Sequence, residues 1–180
     1  MVTKGDPTPL FLDTEFSGLP AVNFDPTLIS VGIVSIEGKE HYVELEGIEA
    51  DACTSFVREA VLPLLGPASD RLSIEEAASR TKRYIETFPG LAIVICDTPH
   101  FDFGYLKTLL QDQWPKNLLD KPYAFGPSLV PSIFRFAAKA AYQDVARTLR
   151  PHHALDDAKI LRAAWIAATW AGWRPRLLGT

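Results

Sequence analysis

Apolar residues follow two rhythms along this chain. Leu10-Phe11-Leu12 runs straight into Asp13-Thr14-Glu15 and a Ser17-Gly18 turn, a short apolar run closed by glycine that reads as a buried strand. After a loop over 20–26, residues 27–36 are rich in β-branched types and read as a long strand. Glu37-Gly38-Lys39 is a turn and 40–45 alternate in the strand manner, so the two segments form a hairpin. The period then becomes helical: Phe56, Val57, Ala60, Val61 and Leu64 share helical spacing over 52–65, with Pro63 near the end. Ser73 opens a second helix as a capping box with Glu76, and Pro89-Gly90 stops it. Residues 91–96 are wholly apolar, as a strand covered on both faces should be. Helices are expected over 101–111, 133–149 and 154–173, with a Pro-rich stretch over 114–131 that holds a short strand near 123–125. Strand, hairpin, then alternating helices and strand predict one α/β domain over 1–180, a mixed sheet flanked by helices.

The first strand carries the candidate chemistry. Side chains alternate faces along a strand, so Asp13 and Glu15 point the same way, side by side. Two adjacent carboxylates at the end of a buried strand repel each other, and without a cation one tends to stay protonated. A hard divalent cation such as Mg²⁺ or Mn²⁺ resolves that conflict with oxygen ligands. Two further segments offer acids. Asp97 and Asp102 follow the wholly apolar strand, beyond whose carboxyl end ligands bind in open α/β sheets. In Pro151-His152-His153-Ala154-Leu155-Asp156-Asp157 a Pro-led loop enters the last helix, putting Asp157 within reach of the same edge with His152 just ahead of it.

Together, Asp-x-Glu on a first strand, Phe-Asp opening a middle helix and His-x-x-x-x-Asp opening a late one resemble the DEDDh 3′–5′ exonucleases of the ribonuclease-H-like superfamily. The resemblance spans residues 10–165 in the family's order. The segments 28–32 and 61–66 have the texture of a branch of small bacterial and phage 3′–5′ exoribonucleases. Only the pairing of His152 with Asp157 leaves four residues between, where His153 and Asp156 are the neighbours a hasty alignment would choose. An alternative alignment takes Asp97 as the fourth acid, and Thr98 stands where many relatives have Asn.

The resemblance implies a ribonuclease-H-like mixed β-sheet flanked by α-helices, with two Mg²⁺ or Mn²⁺ ions held by Asp13, Glu15, Asp102 and Asp157. Asp13 would bridge the ions, Glu15 and Asp157 would hold the one that binds water, and Asp102 would hold the other. His152 would be the general base, and Phe16, Ser17, Gly18 and Leu19 would meet the terminal nucleotide. The implied reaction removes nucleoside 5′-monophosphates from single-stranded RNA or DNA 3′ ends, RNA favoured. A catalytically weak nucleic-acid-binding module and a DNA-directed exonuclease are the alternatives. A phosphatase built on Asp13 would want Asp-x-Asp, and Glu15 stands there instead.

A net charge of −4 argues against a protein that grips long duplexes electrostatically, but two divalent cations at a metal site would cancel it. No run of eighteen apolar residues suggests a membrane span, and 1–7 lack the apolar core of a signal peptide. Two widely spaced cysteines, Cys53 and Cys96, fit reduced thiols and a cytoplasmic location. An exposed aromatic face on the last helix, around Trp165, Trp170 and Trp173, would be one route to a homodimer.

Overall fold

The computed structural model describes residues 6–19 and 25–177. Its strands are β1 (Thr8–Phe16), β2 (Leu28–Ser35), β3 (Glu40–Glu44), β4 (Ala92–Cys96) and β5 (Tyr123–Ala124). They form one mixed sheet in the order β3-β2-β1-β4-β5. Central β1 runs antiparallel to β2 and parallel to β4, while β3 is antiparallel to β2 and β5 parallel to β4. The helices are α1 (Ser55–Ala60), α2 (Ile74–Glu86), α3 (Asp102–Leu110), α4 (Ser132–Ala146) and α5 (Ala154–Trp170). None of them is long and apolar enough to cross a membrane.

Strand alternation divides the core into two layers. Leu10 and Leu12 pack with Ala77 and Ile85 of α2 and Leu106 of α3, whereas Phe11 packs with Leu161 and Trp165 of α5 on the other face. Continued past the apolar run, the same alternation sends Thr14 to the α2/α3 side and Asp13 and Glu15 to the α4/α5 side. β4 is buried at every position, as its unbroken apolar run requires.

Three expectations change. The helix over 52–65 is broken into a 3₁₀ turn (Ala50–Ala52), the short α1 and a second 3₁₀ turn (Leu62–Leu64). The Thr54 side chain accepts the Val57 N–H and so fixes the start of α1, while Pro63 has no N–H to extend it. Phe56 consequently stands outside the core, 55% exposed. Of the capping box only half forms: Ser73 Oγ accepts the Glu76 N–H, while the Glu76 carboxylate pairs with Arg80 Nε at 2.7 Å. Trp165 and Trp173 are core residues and Trp170 alone of the three is exposed, so the aromatic face of the last helix reduces to one ring.

α5 lies on β2 at Gly32. A Cβ at Gly32 would collide with the backbone of Ala154 and Leu155, the first two residues of the helix. Gly32 is also the cross-strand partner of Asp13. The missing side chain therefore lets the amino end of α5 reach the strand beside Asp13.

Because the atoms a new methyl would meet are backbone, they can give way only if the helix moves as a body. Gly32→Ala should therefore destabilise the protein at the upper end of the roughly 1–3 kcal/mol typical of overpacking. Urea unfolding of the two proteins measures this, and an unchanged midpoint would mean that α5 is not seated on Gly32.

Candidate metal centre

β1 and β4 are parallel neighbours, so their carboxyl ends open onto the same edge, and the acid-bearing segments gather there. Asp13, Asp97 and Asp102 each offer a carboxylate oxygen, and these atoms lie within 4.8 Å of one another. Glu15, His152 and Asp157 form a second group on the same criterion. All five residues singled out as catalytic are in the two groups, and Asp97 joins them. His153 and Asp156 are in neither. His153 stacks on Tyr42 with ring centroids 4.5 Å apart, and Asp156 pairs with Arg150 Nε at 2.7 Å.

Each acid is held by a device that can be named. Asp102 stands in the first turn of α3 but does not cap it. Its Oδ1 accepts the Thr14 N–H (3.2 Å) and hydroxyl (2.8 Å), tying α3 to β1 between the two strand acids. Asp157 reaches the site through the close approach at Gly32, and its Oδ2 accepts the His152 N–H at 2.9 Å. Thr14 had a readable signal, a hydroxyl residue between two carboxylates, but its role needs the opposite face of the strand to be occupied by α3.

Gathering the acids raises their affinity for protons. Burial, then the Asp102, Glu15, Asp157 and Asp97 carboxylates, hold Asp13 well above the usual carboxylate range. Burial with Asp157 and Asp102 pushes Glu15 up to about 8. Burial lifts Asp102 to about 7 against the hydrogen bonds from Thr14, and lifts Asp157 to about 6 against the N–H and charge of His152. In each, burial outweighs whatever favours the charged form. Hard oxygen donors in that condition fit Mg²⁺ or Mn²⁺.

Beside Glu15 lies a cavity of about 440 Å³ walled by Phe16, Gly18, Leu19 and, from the start of α1, Thr54, Ser55, Phe56 and Val57. Of the four residues expected to meet a nucleotide, Gly18 and Leu19 line it, Leu19 with an exposed side chain and Gly18 buried. Phe16 also lines it, but its ring stacks on Tyr105 (centroids 4.8 Å) and leans on Phe101. Ser17 is buried: its Oγ accepts the Thr27 N–H and its carbonyl the Thr54 N–H, so it fastens α1 to the end of β1. Phe56 touches His152 edge-on, with centroids 4.9 Å apart. Its apolar, helix-spaced pattern gave no sign of this role. Tyr142 of α4, also unforeseen, lines a small cavity with Asp13, Asp97 and Asp157.

No protein-family model matches the sequence, and no curated protein matches it. Solved structures do resemble it. S. pombe Pop2p, in a form with Mg²⁺ and Mn²⁺ bound, aligns with a TM-score of 0.54 and 14% identity over 87% of this chain and 81% of that one. Cell-death related nuclease 4 (CRN-4) aligns with a TM-score of 0.59 and 14% identity over 92% of this chain and 64% of that one, so this chain spans about two thirds of its length. The likeness is one of fold, the ribonuclease-H-like α/β fold, and with the gathered carboxylates it agrees with the resemblance read from the sequence.

The raised carboxyls predict an unusual pH dependence. A group whose folded pKa exceeds its unfolded one stabilises fully below the unfolded value and loses that contribution as pH rises through the folded value. Asp102 and Glu15 should therefore withdraw stability as pH passes about 7 and about 8. His41 and His153, both lowered by burial, act in the opposite sense but only below their ordinary 6.5. Between pH 6.5 and about 8.5 the protein in EDTA should lose melting temperature, and Asp13→Asn should flatten the fall. A melting temperature that rises across this window in EDTA would show that the acids do not press on one another.

Proposed function

We propose that this chain is a metal-dependent 3′–5′ exonuclease of the DEDDh type, acting on single-stranded RNA or DNA 3′ ends with RNA favoured. The observation that carries the reading is the pair of adjoining ligand groups, Glu15/His152/Asp157 and Asp13/Asp97/Asp102, at the carboxyl ends of β1 and β4. The fold shared with a protein solved with Mg²⁺ and Mn²⁺ bound, and with one named a nuclease, supports it.

Asp13, at the border of the groups, would hold both of two divalent cations, with Glu15 and Asp157 completing one and Asp102 the other. Bound there, such ions supply an activated water and stabilise charge on the leaving 3′ oxygen. The chain's own residues do the rest. An unprotonated imidazole nitrogen of His152 takes the proton from the attacking water as general base. The terminal nucleotide enters the cavity beside Glu15. Its base lies against Leu19 and Phe56, a contact indifferent to sequence because every base has an apolar face. At Gly18 no side chain keeps the terminal sugar away from the backbone.

Incubation of a 5′-labelled single-stranded RNA with Mn²⁺ or Mg²⁺ should give a ladder shortened from the 3′ end, and a covalently closed circular RNA should survive. Cleavage of the circle at the same rate would make the protein an endonuclease. Asp13→Asn should abolish the ladder while the protein stays folded, since Asp13 would serve both ions. Full activity in that variant would remove the metal centre from the mechanism.

The two histidines should separate. His152→Ala should slow hydrolysis roughly 10²–10⁴-fold, the range for loss of a general base. His153→Ala should slow it far less, because His153 is stacked on Tyr42 outside both ligand groups. The reverse order, measured on the same RNA, would put the base at His153.

A further inference from the structure

His152 sits in the loop between α4 and α5 with a φ of +63°, in the left-handed region. Non-glycine residues seldom adopt it, and something must hold the loop there. The hydrogen bonds identify the holder. Asp156 Oδ2 accepts both the Arg150 backbone N–H (3.3 Å) and its Nε–H (2.7 Å), while Asp157 Oδ2 accepts the N–H of His152 itself. Pro151, between them, has no N–H and a fixed φ. The adjacent acids of α5 thus pin both ends of a three-residue bend. Asp157 belongs to a ligand group, whereas Asp156 belongs to neither and is 4% exposed. A carboxylate so buried must have its charge answered, and Arg150, with Lys159 Nζ 3.7 Å from Oδ1, answers it. An acid needed only to complement the dipole at the amino end of α5 would do so from the surface, with no ion pair to the preceding loop.

We propose that Asp156, acting through Arg150, is the positioning residue that locks the His152 loop into its left-handed bend and so sets the imidazole beside Glu15 and Asp157. The inference rests on the reading of His152 as general base. It explains why two acids stand side by side at the start of α5: one serves the ions and the backbone of His152, the other serves the approach to it. Arg150 is half-exposed, and its side chain can be removed without opening the core.

The test measures single-turnover hydrolysis of a labelled RNA with saturating Mn²⁺ by Arg150→Ala and Asp156→Asn, alone and combined with His152→Ala. Each single variant should slow the chemical step on the order of 10–100-fold, the usual penalty for releasing a group that orients a catalytic residue. The concentration of RNA giving half the maximal rate should hold, and so should the rise in melting temperature that Mn²⁺ gives. In the His152→Ala background neither change should slow the reaction further, because no imidazole remains to be positioned. Arg150→Lys, which keeps a donor for Asp156, should recover part of the rate. Equal losses with and without His152 would reduce the pair to a structural contact and overturn the proposal. A weaker RNA affinity at an unchanged rate would make Arg150 a phosphate contact and also overturn it. If His152→Ala hydrolyses normally, the general-base reading falls and the proposal with it. If His152→Ala is crippled while Arg150→Ala and Asp156→Asn are normal, the proposal alone falls.

Discussion

The centre depends on how closely a helix can approach a sheet. Between β2 and the first turn of α5 no side chain intervenes, because Gly32 has none, and backbone meets backbone. Since Gly32 is paired with Asp13, that contact carries an acid from the last helix to the strand acids near the start of the chain. The other long-range acid arrives by a different device. Thr14 points to the opposite face from Asp13 and Glu15 and receives Asp102 with both its N–H and its hydroxyl. One glycine and one threonine therefore decide where four carboxylates meet. Neither needs to be a ligand to do so.

Bringing the carboxylates together works against stability, since each is raised by burial and by its neighbours. The fold tolerates this because the apolar cores on the two faces of the sheet are complete without the acids, and the acids sit at the strand ends where the cores stop. Local conflict kept in place by surrounding structure is how functional sites differ from the rest of a fold. Here the conflict has a sign, an excess of negative charge, and the sign names the remedy. A divalent cation converts mutual repulsion into shared attraction, so the arrangement that is awkward without the ion is preorganised for it.

What the sequence made legible follows from which rules are local. The two-residue period of a strand was enough to place Asp13 and Glu15 together, and the wholly apolar run before Asp97 was enough to make a central strand. The His152–Asp157 spacing singled out two residues that the structure does bring into one group with Glu15. Periodicity could not separate Asp97 from Asp102, and both reach Asp13. Helical spacing over 52–65 predicted one helix and said nothing of where the Phe56 ring would point. The Thr54 cap and Pro63 shorten the helix to six residues and turn that ring outward. The Arg150–Asp156 pair and the Tyr142 contact depend on how α4 returns to α5, and no short-range pattern encodes that return.

The two ligand groups are not equivalent, and their difference bears on what can reach them. Asp13 and Asp97 of one group and Asp157 of the other line a small cavity of about 80 Å³ together with Tyr142. Glu15 instead forms a wall of the large apolar cavity, and it is the member of the two groups that does so. In the proposed reading, a substrate seated in that cavity would meet the centre first at Glu15, next to His152, whose ring is braced by Phe56 from the same wall. Ser17 holds the two sides of the cavity together, tying the segment after β1 to Thr27 and to Thr54 at the start of α1. Under the proposed function, a space with apolar walls, one acidic side and an imidazole at its edge would take the end of a strand and not its middle. On that reading the base of an end nucleotide would be buried there while its single phosphate turned toward the acids. In the proposed reading, the direction of attack is therefore set by which group shares a wall with the cavity.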